Sequence, residues 1–205
     1  MEVSITDLIL DLIEKMSMVI VVAYLVTRTR YFSGILDGRL NAKYRVILIL
    51  FFGGFALYGT YSGIELPSGA IANVRDLAPI AAGIIGGPLV GLGAGLIGGV
   101  HRYFLGGLTN VPCALATVIA GLAAGLIFKR RKEKPFAIWQ ATLFAVIMES
   151  LHMCLILLIS RPYSEAVEVV KLIALPMILA NAVGVTIFAL MARNSMRERN
   201  TGSSQ

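Results

Sequence analysis

The fold is decided by an apolar, glycine-rich stretch, GIIGGPLVGLGAGLIGGVHR, at residues 83–102. Its first eighteen residues carry no charge and eight of them are glycine, before His101 and Arg102 follow together. Within it, glycines recur at every fourth position: Gly83, Gly87, Gly91, Gly95 and Gly99. Lipid provides no hydrophobic drive for helices to associate, so small residues at this spacing permit close backbone packing. We predict a packed stripe, with a counterpart at Gly121 and Gly125, that either only packs or also shapes a small cavity beside it.

The composition indicates an integral membrane protein. The chain has 205 residues, of which 57% are hydrophobic and 15% are charged, whereas soluble domains have a charged fraction of about 25%. The net charge of +6 does not indicate nucleic-acid binding, because most basic residues lie in short loops between apolar runs. Cys113 and Cys154 both lie in apolar segments, which predicts buried thiols rather than a disulfide framework.

The apolar runs predict an all-α, polytopic membrane bundle of six to seven membrane helices. They cover residues 8–27, 46–61, 76–85, 89–100, 111–128, 136–159 and 167–191. A helix that spans the bilayer needs about 20 apolar residues, and the third and fourth runs are shorter. They form either a short glycine-rich helical hairpin that turns at Gly86-Gly87-Pro88 or one long helix with a break. A proline after two glycines favours the turn.

The loop charges predict the orientation in the membrane. Lys and Arg are concentrated in residues 28–45, in KRRKEK at 129–134 and in the C-terminal tail. The positive-inside rule places these segments in the cytoplasm. The opposite loops are poor in basic residues and are predicted outside: 62–75, 101–110 and 160–166. The hairpin satisfies every assignment, with the N-terminus outside and the C-terminus inside.

Charged residues at the predicted outer level are candidates for a binding site. Arg75 precedes the third run, Arg102 ends the fourth, and Cys113 begins the fifth. The arginines either reach the membrane surface as isolated side chains or face a site, because a charge at membrane depth normally needs a partner. Two guanidiniums facing one pocket would suit a small carboxylate. Glu149 and His152 are either a proton-coupled pair or, as we favour, a static hydrogen bond.

These segments resemble a known family. NVRDLAPIAAGIIGGPLVGLGAGLIGGVHRYFLGG, followed by CALATVIAGLAAGLIF, is similar to the sensory membrane domain of LytS/YpdA-type sensor histidine kinases, the five-transmembrane LYT receptor family. The resemblance is strongest over residues 71–128. It rests on N-x-R, then G-G-P-x-x-G, then H-R, then a cysteine, in that order and at close spacing.

The resemblance implies a receptor in the bacterial inner membrane for a small extracellular metabolite. In the branch that senses pyruvate, the binding residues are two arginines, a cysteine and a serine three positions after it. Three of them correspond to Arg75, Arg102 and Cys113, whereas Ala116 occupies the position of the serine. Thr117, its neighbour, points about 100° away around a helix. The predicted ligand-binding set is therefore Arg75, Arg102 and Cys113, together with His101 and Thr117.

The resemblance also implies the organisation of the whole protein. Residues 1–193 are expected to form the transmembrane sensory domain, with its core at 71–128, and residues 194–205 a cytoplasmic juxtamembrane tail. The kinase region is missing, so this chain is not expected to be an enzyme. The expected partners are a small carboxylate such as pyruvate, the lipid bilayer, a second copy and a response regulator, without nucleic acid, metal or cofactor. The alternative is a substrate-binding membrane subunit of an energy-coupling-factor-type transporter.

Overall fold

The computed structural model describes residues 5–27, 41–130 and 137–202, and in these ranges the chain is almost entirely helical. The seven helices found there are α1 (Ile5–Thr27), α2 (Ala42–Tyr61), α3 (Leu77–Gly86), α4 (Pro88–Phe104), α5 (Asn110–Arg130), α6 (Ile138–Ile159) and α7 (Tyr163–Gly202). The all-α class is confirmed. Most of the basic segment at 28–45 and of the one at 129–134 lies outside the described residues.

One small sheet interrupts the helical pattern between α2 and α3. Strands β1 (Ile64–Glu65) and β2 (Ile71–Ala72) pair antiparallel, with Ile64 opposite Ala72 and Glu65 opposite Ile71. The sequence analysis did not predict them, because two residues per strand are too few to give an alternating pattern.

Four of the helices in the described ranges are long and apolar enough to cross a membrane: α2, α5, α6, and α7 as far as Ser195. Helix α3 has only 10 residues and α4 has 17, and the first half of α1 carries most of its charges. Of the six to seven membrane helices that the sequence predicted, these four therefore have the length and composition of a membrane span.

The chain breaks between α3 and α4 at Gly87. Its φ of +78° lies in the region that only glycine adopts without strain, and Pro88 then begins α4 at the position where a proline costs no hydrogen bond. Gly87 differs from the prediction of a continuous stripe, because a Cβ added there would have no atom within 4 Å. It serves the turn and not the packing.

The other glycines of the stripe bring α3 and α4 into contact with α5. A Cβ on Gly83 would lie 2.6 Å from the carbonyl oxygen of Gly121, and one on Gly99 would lie 2.8 Å from that of Ala114. Gly91 contacts the same Gly121 carbonyl even more closely. Real Cβ atoms do not approach so near, so only glycine permits this helix spacing. The packing role predicted for the stripe is confirmed at these positions.

Three loops meet at one end of the bundle, which we call the loop end: residues 62–76, 105–109 and 160–162. The backbone N–H of Leu108 donates to the carbonyl of Ser68 at 3.3 Å, and the hydroxyl of Ser160 donates to the carbonyl of Leu108 at 2.8 Å. From this end α7 runs without interruption through Pro176 to Gly202. Helix α7 is therefore longer than the apolar run at 167–191 that predicted it.

Candidate functional site

Arg75 is wholly buried just before α3, although it carries a charge. Gly59 of α2 makes room for its backbone, and Gly98 of α4 makes room for its side chain. Its Nε donates to the hydroxyl of Thr117 at 2.7 Å, and its Nη2 lies 3.4 Å from the carbonyl oxygen of Cys113. The remaining nitrogen, Nη1, is buried and has no hydrogen-bond partner in the part of the chain that the structure describes.

Arg102 is also wholly buried, near the end of α4. Its guanidinium donates to the carbonyl oxygens of Gly106 at 2.6 Å and Gly69 at 3.4 Å, and to the hydroxyl of Thr109 at 3.1 Å. Its Nε has no partner among the residues that the structure describes. Thr109 links Arg102 to Cys113, because its carbonyl oxygen also accepts from the backbone N–H of Cys113 at 3.0 Å. The two arginines and Cys113, which the sequence analysis predicted at one level, therefore lie together.

Asp76 and Thr117 connect Arg75 to helix α5. The carboxylate of Asp76 lies 3.4 Å from Nε of Arg75, and it accepts from the Thr117 hydroxyl at 2.6 Å. The same hydroxyl lies 2.9 Å from the carbonyl oxygen of Cys113. Thr117 thus provides a buried hydroxyl to the site, next to the position where Ala116 replaces the serine expected from the resemblance.

Cys113 faces His152 across the contact between α5 and α6. Its Sγ lies 3.1 Å from Nε2 of His152. The other ring nitrogen, Nδ1, lies 3.3 Å from a Glu149 oxygen and 3.4 Å from an Asp76 oxygen. The Glu149–His152 contact is present as predicted. The sequence analysis kept this pair apart from the arginines, whereas the structure joins it to Cys113 and Asp76.

Asn181 extends the cluster to helix α7. Its side-chain amide donates to Glu149 at 3.0 Å, to the carbonyl oxygen of Asn73 at 3.3 Å and to that of Met177 at 3.1 Å. Its own side-chain carbonyl oxygen is buried, and no described residue donates a hydrogen bond to it. One amide therefore links the segment before α3, helix α6 and helix α7.

His101, the remaining residue of the predicted set, lies toward the surface. Its ring packs against the ring of Tyr61 with a centroid separation of 4.7 Å and an angle of 52° between the ring planes, and neither ring nitrogen has a hydrogen-bond partner among the described residues. Tyr61 also borders an open depression of about 250 Å³ at the loop end, together with Gly69 and Gly107. His101 thus contacts one residue that borders this depression, Tyr61, and Arg102 donates to the carbonyl of another, Gly69.

Asp76, Glu149 and His152 each present one ligand atom within 4.8 Å of the others, which is close enough to hold a metal ion. The arrangement does not favour one. The guanidinium of Arg75 is 3.4 Å from Asp76 and would repel a divalent cation.

The sequence analysis did not predict that Glu149, His152 and Asn181 belong to this site. They lie on α6 and α7, far along the chain from Arg75 and Arg102, and their spacing matches no metal or catalytic motif. The only available signal was an ionisable residue in an apolar run, which is a candidate functional residue by default. Cys154 was predicted as a buried thiol, but its side chain is exposed, because it lies on the face of α6 opposite to the cluster.

The chain is similar to a family of membrane receptor regions. A family model described as "5TMR of 5TMR-LYT" matches residues 29–195. Sensor histidine kinase BtsS of Escherichia coli K12 is 33% identical over 204 residues, which cover 96% of this chain and 36% of the relative. Sensor protein LytS of Bacillus subtilis is 35% identical over 209 residues, which cover 93% of this chain and 35% of the relative.

A similar relation holds for sensor histidine kinase/phosphatase LytS of Staphylococcus aureus strain RF122, at 32% identity over 205 residues. The chain spans about a third of the length of these relatives. No solved structure matches. The transporter alternative finds no support, since these relatives are sensor proteins. The chain therefore belongs to the 5TMR-LYT family, is a multi-pass protein of the inner membrane, and corresponds to the membrane sensory region of LytS-type sensor histidine kinases.

Proposed function

We propose that this domain is a receptor for a small extracellular carboxylate of about the size of pyruvate, held between Arg75 and Arg102. Cys113 and Thr117 line the same site, and His101 lies at its entrance. In the full-length protein the occupied site controls a cytoplasmic kinase that works as a homodimer and phosphorylates a response regulator.

The observation that carries the proposal is that each of the two buried guanidiniums has one nitrogen without a hydrogen-bond acceptor. Nη1 of Arg75 and Nε of Arg102 are both buried, and within residues 5–27, 41–130 and 137–202 neither has a hydrogen-bond partner. A buried donor without a partner costs about 1–3 kcal/mol, and more when it is charged. A carboxylate accepts through two oxygens and can bind guanidinium N–H groups in parallel. An anion between the arginines would satisfy both nitrogens and compensate the positive charge of Arg102.

The size of such a ligand limits its affinity. Pyruvate has about six heavy atoms, and about 1.5 kcal/mol per atom is the ceiling for very small ligands. The binding free energy then cannot exceed about 9 kcal/mol, which corresponds to a dissociation constant close to micromolar. This is a suitable range for a sensor of a metabolite.

The depression at the loop end supports entry from outside. Gly69 and Gly107 border it, and the carbonyl of Gly69 is also a hydrogen-bond acceptor for Arg102. Only a shallow layer of backbone therefore separates Arg102 from the surface. The predicted orientation puts this end outside, with α3 and α4 as a short glycine-rich hairpin that enters the membrane from the same side.

Asn181 provides a route from the site to helix α7. It donates to Glu149 and to the backbone of Asn73, two residues before Arg75. A ligand that draws Arg75 away from Asp76 would change the hydrogen bonds of this cluster and the position of α7 relative to α6. Residues 194–205, of which α7 includes those as far as Gly202, are the proposed cytoplasmic connection to the kinase.

Calorimetric titration of the purified domain with pyruvate, lactate, acetate and inorganic phosphate tests the binding site. Wild type should bind pyruvate, and Arg75→Ala and Arg102→Ala should each lose at least about 30-fold in affinity, the lower limit for removing one partner of a buried charged contact. Arg161→Ala is the matched control, since Arg161 is exposed at the same end. Undiminished binding in both arginine variants would place the site elsewhere.

A further inference from the structure

The proposed carboxylate site does not explain why a thiol, an imidazole and two carboxylates lie together beside it. Cys113 Sγ lies 3.1 Å from His152 Nε2, and His152 Nδ1 faces Glu149 at 3.3 Å and Asp76 at 3.4 Å. All four residues are buried, with at most 4% of their surface exposed. A thiol next to a ring nitrogen, with a carboxylate on the other ring nitrogen, is how an activated cysteine nucleophile is built.

The carboxylates determine what the imidazole can do. With two of them facing Nδ1, a proton stays on that nitrogen, and Nε2 is left to accept the proton of the Cys113 thiol. Cys154 lies on the opposite face of α6 with an exposed side chain, away from His152 and the two carboxylates. Reactivity would therefore be confined to Cys113.

We propose that Cys113 captures a 2-oxo carboxylate as a reversible thiohemiketal, with His152 as the group that takes up and returns the proton. This inference rests on the proposed carboxylate site and adds a covalent step to it. The ligand class becomes narrower: acids with a carbonyl next to the carboxylate, rather than carboxylates in general.

The step balances without any co-reactant. Sγ of Cys113 donates an electron pair to the carbonyl carbon, and a C–S bond forms while the C=O π bond breaks. That electron pair moves to the carbonyl oxygen, which takes the proton that His152 received from the thiol. Nothing is oxidised or reduced, and the reverse sequence releases the intact ligand.

The two arginines lie where such a ligand needs them. Arg75 Nη2 is 3.4 Å from the backbone carbonyl of Cys113, and Arg102 donates to the hydroxyl of Thr109, whose carbonyl accepts from the backbone N–H of Cys113. In a 2-oxo acid the reactive carbon is bonded directly to the carboxylate carbon. Anchoring the carboxylate therefore brings the reactive carbon beside Sγ, and guanidinium N–H groups are available to stabilise the developing oxyanion.

The direct test is ¹³C NMR of the domain mixed with pyruvate labelled at C2. We expect a protein-dependent resonance in the region of saturated carbon that bears oxygen and sulfur, in exchange with free pyruvate. Pyruvate should also bind about tenfold or more tightly than lactate, which has no carbonyl. Both measurements use the wild-type chain and do not depend on any variant folding.

Variants identify the residue that reacts. Cys113→Ala and His152→Gln should lose the new resonance, and Cys113→Ala should bring the pyruvate-to-lactate affinity ratio close to one. Cys154→Ser is the matched control on the same helix as His152, and it should retain both the resonance and the ratio.

The outcomes separate this inference from the proposed function. Pyruvate that binds to wild type with arginine dependence, but without the new resonance, would overturn the covalent step and leave the receptor proposal intact. A resonance that persists in Cys113→Ala would also overturn it. If no carboxylate binds to wild type, the receptor proposal fails and the covalent step fails with it.

Discussion

Arg75 and Arg102 are both wholly buried, but their surroundings differ. Arg75 has the carboxylate of Asp76 at 3.4 Å. Arg102 donates to two backbone carbonyls and one hydroxyl, and among the described residues no carboxylate forms an ion pair with it. A buried charge without a counter-ion is costly. The comparison indicates that Arg75 is stabilised by the protein itself, whereas Arg102 retains a positive charge that a ligand can neutralise.

The largest expected effect is on the stability of Arg75→Ala. Removing the guanidinium leaves Asp76 without its buried positive partner, which typically costs about 3–5 kcal/mol. Thermal unfolding in detergent should show a large decrease in Tm, and Arg75→Ala combined with Asp76→Asn should recover part of it. If the single variant is as stable as wild type, the Arg75–Asp76 pair does not stabilise the fold and the contrast with Arg102 disappears.

Arg102→Ala is expected to affect binding more than folding. No buried carboxylate is left unpaired, so the decrease in Tm should be smaller than for Arg75→Ala, whereas affinity for pyruvate should fall by about 2–5 kcal/mol. Arg102→Lys should recover only part of the affinity, because an ammonium lacks the planar fork of donors. Calorimetry and thermal unfolding on the same preparations measure both quantities. A larger loss of Tm than in Arg75→Ala would reverse the comparison.

Gly91→Leu tests whether both arginines depend on the close approach of α4 to α5. Gly91 contacts the backbone of Gly121, so a larger side chain must separate the helices, at a cost of about 1–3 kcal/mol for overpacking. The yield of folded protein and its Tm should decrease.

Gly54→Leu is the control for that substitution, because a Cβ at Gly54 would have nothing within 4 Å. It should leave Tm and pyruvate affinity unchanged. An equal effect of both substitutions would mean that leucine at either position disturbs the protein for reasons other than helix spacing.

The smallest expected effect is that of Ala116→Ser. Ala116 is buried, three positions after Cys113, and a hydroxyl there could add one hydrogen bond to the ligand. A net hydrogen bond is worth about 1 kcal/mol, so affinity for pyruvate should increase about fivefold in a calorimetric titration. A decrease would indicate that the hydroxyl faces the protein and not the bound carboxylate.

The sequence by itself determined the class of protein and the positions of its helices. Long uncharged runs are stable in lipid as helices, since every backbone polar group must be satisfied within the segment. The observed helices begin and end near those runs, except that α7 continues to Gly202, beyond the run at 167–191. The break at Gly87 could also be predicted from the local sequence, because Gly-Gly-Pro cannot continue a helix without cost. Arg75, Arg102 and Cys113 were predicted at one level from topology and resemblance.

Only the tertiary structure decided which side chains share the site. Asp76, His152 and Asn181 lie before α3, on α6 and on α7, and no spacing along the chain shows that they meet. Their contacts depend on how α6 and α7 rotate against α5, which is set by packing over the whole helix surface. The same rotation turns Cys154 outward and Cys113 inward, although both cysteines lie in equally apolar sequence. A polar residue in an apolar run predicts that the residue has an interaction partner, but only the packing of the helices determines which residue that partner is.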